Sequence, residues 1–131
     1  MSLNFKYYGL ALLWALFILT ICSIKMGDIG SGHLFFPGFD KLVHCGLFFV
    51  LVVFYCNGFI RKHGQDNLTY LVFVKIIIGA ILYGGLIEVL QAYVFTWRSG
   101  ELADLFADTV GICMGILSVL LTMLAIKNVK E

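Results

Sequence analysis

Read from the N-terminus, the chain alternates long apolar runs with short polar breaks. Tyr7 to Ile24 carries no acidic or basic residue before its end. Leu42 to Ile60 carries none beyond the titratable His44. Leu68 to Ile87 is interrupted only by Lys75, and the apolar run resumes past Glu88 as far as Trp97. Leu105 to Ile126 holds one carboxylate, Asp108. Each run is long enough to cross a hydrocarbon core of about 30 Å at about 1.5 Å per residue. Backbone groups in hydrocarbon must satisfy one another, which selects helices. The pattern therefore predicts an all-α polytopic membrane protein. Its four-transmembrane-helix bundle would have helices at about 6–24, 41–60, 68–96 and 102–126.

The breaks differ in chemistry. Lys25 to Asp40 is glycine-rich and contains the only proline, Pro37, which is loop composition. Arg61 to Asn67 is short, polar and basic, and Thr96 to Ala103 reads as a short charged turn. Composition agrees with the spans: 61% of residues are hydrophobic and 13% charged, against about 45–50% and about 25% in soluble domains. Spans of about 20 residues use most of the 131 positions, so residues 1–131 read as a single membrane domain. A net charge of +1 offers no polybasic surface for nucleic acid.

The first run reads as a retained helix, not a cleaved signal. Its basic region is Lys6 alone, and its apolar stretch exceeds the usual signal core. Bulky Ile21 stands in Leu19-Thr20-Ile21-Cys22 where a lipoprotein cleavage box needs a small residue. The four cysteines, Cys22, Cys45, Cys56 and Cys113, show no metal spacing and read as small hydrophobes without a disulfide.

Lys and Arg at the span ends suggest an orientation. With the N-terminus inside, Lys6, Arg61, Lys62, Lys127 and Lys130 are cytoplasmic, five against the outer three, Lys25, Lys41 and Arg98. Lys75 can snorkel to the inner side. The expectation is a multi-pass protein of the plasma (inner) membrane with both termini cytoplasmic.

Charged groups inside a bilayer cost about 2.5–3.5 kcal/mol each at mid-helix, yet several are kept. Asp40 and Lys41 open helix 2, with His44 a turn further in. Glu88 and Gln91 share a face of helix 3 with Gly84, by i+4 and i+3. Arg98 and Glu101 lie in the next turn. Asp104, Asp108, Gly111 and Gly115 share a face of helix 4. Small residues on that face let backbones approach, which directs the acids into the bundle. Under the chosen orientation His44, Glu88 and Asp108 all occupy the outer half, so helices 2, 3 and 4 would gather one outward-opening polar pocket.

Five acids around this pocket (Asp40, Glu88, Glu101, Asp104 and Asp108) face two bases, Lys41 and Arg98, a formal −3 with His44 neutral. Either carboxyls are protonated or a cation sits there. Carboxylates with one imidazole suit a divalent ion, with His44, Glu88 and Asp108 as candidate ligands. Simpler roles compete. Asp40, Glu101 and Asp104 can lie at headgroup level, His44 can bond a backbone carbonyl, and Arg98 can anchor lipid phosphate. Gly84, Gly111 and Gly115 read as helix packing.

The order of these residues resembles the VanZ-like family of small membrane proteins, named for a protein linked to low-level teicoplanin resistance. The family's second helix opens Asp-Lys-x-x-His, here Asp40-Lys41-Leu42-Val43-His44. Its third carries Glu-x-x-x-Gln or Glu-x-x-Gln, and Glu88 to Gln91 matches the shorter form, with an Arg following as Arg98 does. Its fourth opens Asp-x-x-x-Asn-x-x-Gly-x-x-x-Gly, matched by Asp104, Asp108, Gly111 and Gly115. The resemblance covers residues 5 to 126, with Asp108 standing where the family commonly has Asn. It implies an envelope role connected with glycopeptide susceptibility and carries no settled enzymatic activity.

Two functional classes lead. One is an envelope protein whose pocket binds a lipid headgroup, a cell-wall precursor or a related ligand, with Arg98 and His44 on phosphate or carboxylate. The other is an intramembrane enzyme, metal- or acid/base-dependent, acting on a phospholipid or polyprenyl phosphate. A proton or ion translocator is the third, weakened because no acid lies near the cytoplasmic helix ends. Membrane lipid is the expected partner in every case.

Overall fold

The computed structural model describes residues 5–24, 36–95 and 100–130. Four helices account for nearly all of them: α1 (Phe5–Ser23), α2 (Phe39–His63), α3 (Tyr70–Tyr93) and α4 (Leu102–Lys130). A 3₁₀ turn at Gln65–Asn67 joins α2 to α3, and no strand occurs among the described residues. All four helices are long and apolar enough to cross a membrane. At most 28% of the residues in any span are buried, and Leu13, Leu82, Leu117 and Leu121 all face outward. Such a surface is an aggregation liability in water and an ordinary one against acyl chains. The chain is a multi-pass membrane protein with an all-α, four-helix architecture.

Helix ends differ from the sequence expectation in ways that have local causes. α2 starts two residues early because Gly38, at φ +87°, turns the chain so that its carbonyl accepts from Lys41 and Leu42 N–H. A side chain there would strain the left-handed backbone. The basic stretch expected to be loop instead extends α2: Arg61, Lys62 and His63 form its last turn. Cations are favoured at that end of the helix dipole. Gly64, also at φ +87°, then ends the helix by donating its N–H to Ile60. α3 stops at Tyr93, short of the expected 96, although Val94 and Phe95 are apolar. The N–H groups of both residues bond the Leu90 carbonyl.

Pairings between helices define the topology. Trp14 Nε1 donates to the Leu47 carbonyl at 2.9 Å, and Gly58 lies against the Tyr7 backbone, so α1 and α2 are antiparallel. Tyr83 Oη donates to the Ala15 carbonyl at 2.6 Å, and Gln91 Nε2 donates to the Cys22 carbonyl at 3.0 Å. α1 and α3 therefore run parallel. α2 and α4 are parallel as well and share the most extensive interface: Gly111 packs on the Cys45 carbonyl and Gly115 on the Phe49 carbonyl. The result is an up-down-up-down bundle.

The core is apolar, with Ile18, Phe48, Val52, Cys56, Ile87 and Ile112 fully enclosed. α2 and α3 barely touch. Between them opens a cleft of about 450 Å³, lined by Leu51, Tyr55, Phe59, Lys75, Ile76 and Tyr83 among others.

Candidate functional site

The end of the bundle where α1 and α3 finish and α2 and α4 begin carries the polar cluster. His44 is five residues into α2, Asp108 six into α4, and Glu88 five from the end of α3. Each is therefore about 7–9 Å deep at about 1.5 Å per residue. The parallel register of α2 and α4 brings His44 and Asp108 to the same level, and antiparallel α3 adds Glu88.

Two groups of ionisable side chains form there, one above the other. In the shallower group Lys41 Nζ donates to Asp40 Oδ2 at 3.0 Å, Glu101 Oε2 at 3.1 Å and Asp104 Oδ1 at 3.1 Å. An ammonium has three N–H donors, and here all three meet carboxylates. Asp40 and Glu101 are exposed, whereas Asp104 is buried.

In the deeper group His44 Nδ1 and Asp108 Oδ1 share a hydrogen bond of 2.9 Å, both side chains being buried. On its other side, His44 Nε2 faces Asp104 Oδ2 at 3.8 Å, which links the two groups. Glu88 Oε2 accepts the Glu101 N–H at 2.7 Å. Ligand atoms of His44, Glu88 and Asp108 all lie within 4.8 Å of one another. Asp108 Oδ2 and Glu88 Oε1 are buried without a hydrogen-bond partner.

Glycines make this approach possible. A Cβ on Gly84 would stand 2.8 Å from Asp108 Oδ2, so any larger residue there would displace the carboxylate. A Cβ on Gly100 would stand 2.7 Å from the Glu88 carbonyl, so the returning chain lies directly on the last turns of α3. Gly111 and Gly115, on the Asp108 face of α4, hold α2 close enough for His44 to reach across.

Of the residues singled out from sequence, Asp40, His44, Glu88, Asp104 and Asp108 meet at this end. Gln91 is buried but stands apart, with its amide committed to the Cys22 carbonyl. The last carbonyls of a helix have no intrahelical partner, and Gln91 supplies one to α1. Arg98 lies outside the described residues. Glu101 and Lys41 gain weight: Lys41 is the hub of the shallower group, where charge counting treats it only as one of two bases. Its spacing signal was the adjacent Asp40 and the His44 a turn later.

Chemically, among the described residues the arrangement holds one lysine, Lys41, and below it an imidazole with two carboxylates whose hydrogen-bonding capacity is partly unspent. No protein-family model, curated protein or solved structure matches the chain.

Proposed function

We propose that this chain is an envelope membrane protein of VanZ-like type whose polar end binds the phosphorylated headgroup of a lipid or lipid-linked cell-wall precursor. In this reading it lies in the plasma (inner) membrane with both termini cytoplasmic and the polar end outward. The observation that carries it is the meeting of His44, Glu88 and Asp108, from three helices, within 4.8 Å of one another. Each such group is costly in a bilayer. Their collection at one end, with carboxylate oxygens left unpaired, supports a binding role over a purely structural one. Arg98, four positions ahead of α4 in the sequence, is the residue assigned to the phosphate in this reading, since Lys41 is occupied by three acids.

The test is lipid retention. Purified protein is placed in nanodiscs of a phosphate-free galactosyl diacylglycerol containing phosphatidylglycerol or a polyprenyl phosphate, and bound lipid is read by native mass spectrometry. Arg98→Ala should lower retention of the phosphorylated lipid about tenfold, equivalent to about 1.4 kcal/mol, with insertion intact. Equal retention by wild type and variant would remove the reading. An effect on teicoplanin susceptibility follows from it, and cells expressing Arg98→Ala should lose that effect.

A second reading, an acid/base enzyme on the same class of lipid, is favoured by the buried 2.9 Å contact between His44 and Asp108. Turnover of a radiolabelled polyprenyl phosphate, abolished in Glu88→Gln, would support it. A panel of phospholipids and polyprenyl phosphates left unchanged would count against it.

A further inference from the structure

The shallower and deeper groups differ in one respect that bears on what the pocket contains. Asp40, Glu101 and Asp104 surround an ammonium, so three carboxylates share a cation that the chain provides. His44, Glu88 and Asp108 have the same compactness, since their ligand atoms also fall within 4.8 Å. No described lysine or arginine reaches them: every described pairing of Lys41 is with the shallower acids. Asp108 is fully buried, and its Oδ2 accepts nothing. Glu88 Oε1 is likewise buried and unpaired. A buried carboxylate oxygen without a donor costs about 1–3 kcal/mol or more, and two of them adjoin one imidazole.

We propose that His44, Glu88 and Asp108 form a binding site for one divalent transition-metal ion, with Zn²⁺ as the best-suited probe, held between α2, α3 and α4. One imidazole and two carboxylates are ligands that Zn²⁺ accepts at about 2.0–2.2 Å. Ligand atoms around such an ion stand about 3–3.5 Å apart, and the 2.9 Å between His44 Nδ1 and Asp108 Oδ1 is already close to that spacing. The donors come from three different helices, so the ion would fasten the bundle at its polar end. Gly84 leaves Asp108 Oδ2 the room it needs, since a side chain there would occupy the same space. Three protein ligands leave a coordination position open, as in catalytic zinc sites, and that position is where a phosphate oxygen would bind. Entry of the ion displaces the proton shared by His44 and Asp108 to solvent, so binding weakens as pH falls.

The inference builds on the headgroup-pocket reading for the ion's purpose, and its test uses metal alone so that the two can fail separately. Full-length protein in detergent is stripped with a chelator, desalted and titrated with Zn²⁺ by calorimetry, with metal content read by mass spectrometry. One equivalent is expected, with a rise in melting temperature that the chelator reverses. Glu88→Gln and Asp108→Asn should each lower affinity at least about tenfold, one decade being about 1.4 kcal/mol. Asp40→Asn, in the shallower group, should retain the full equivalent. Co²⁺ bound to wild type alone should show the visible absorption of an imidazole–carboxylate site, which keeps the proposal testable if a variant does not fold. Absence of stoichiometric binding to folded wild type overturns it. So does binding that Glu88→Gln and Asp108→Asn leave unchanged, which would mark an adventitious surface ion. Zn²⁺ binding without any preference for phosphorylated lipid would leave the metal site standing and remove the headgroup function.

Discussion

At the scale of single residues, the buried His44–Asp108 contact is the interaction most exposed to mutation. Removing one member of a buried ion pair leaves the other charge uncompensated and costs about 3–5 kcal/mol. His44→Ala should therefore destabilise the bundle by roughly that amount, read as a lowered midpoint in detergent-denaturant titration. Asp108→Asn keeps a carbonyl oxygen and an amide beside the imidazole, so its effect on the same midpoint should stay within about 1 kcal/mol. The two substitutions thus separate holding the helices together from holding a cation. Lys41 makes a further prediction. Lys41→Met leaves Asp40, Glu101 and Asp104 without their shared cation and should lower the melting temperature. Lys41→Arg, which keeps the charge, should lower it less.

At the scale of helices, the α2–α4 contact depends on missing side chains. A Cβ on Gly111 would collide with the Cys45 backbone, and one on Gly115 would lie 2.9 Å from the Phe49 carbonyl. Overpacking of this kind costs about 1–3 kcal/mol. Gly111→Ala should destabilise by about that much and weaken the His44–Asp108 contact, whereas Gly46→Ala, with nothing within 4 Å of its Cβ, should be near neutral. Thermal melts of the two variants side by side check this.

Much of this geometry was legible in the sequence, for definable reasons. Hydrocarbon thickness dictates span length, which exposes four helices. The i+4 and i+3 spacing of Asp104, Asp108, Gly111 and Gly115 places acids and small residues on one face. Other features leave no trace in spacing. Gln91 satisfies a backbone carbonyl on a distant helix, and backbone carbonyls carry no residue identity. The early stop of α3 was hidden because Val94 and Phe95 are as apolar as the helix before them. Counting charges understates Lys41, because a sum says nothing about how many acids one ammonium can reach.

At the scale of the whole molecule, the pocket reading requires the polar end to face the external medium. In a cysteine-free background, Glu101→Cys should react with a membrane-impermeant maleimide added to intact cells, and Asp66→Cys, in the turn between α2 and α3, should react only after lysis. The reverse pattern would turn the polar end to the cytosol and remove an external ligand.

The parallel pairing of α2 with α4 also bears on biogenesis. Synthesis runs from α2 to α4, so His44 has no Asp108 to pair with until α4 has been made. A nascent chain cut after Tyr93 lacks Asp104, Asp108, Gly111 and Gly115 altogether. Such a fragment should be recognised by membrane quality-control proteases, because its polar end stays incomplete until α4 is added.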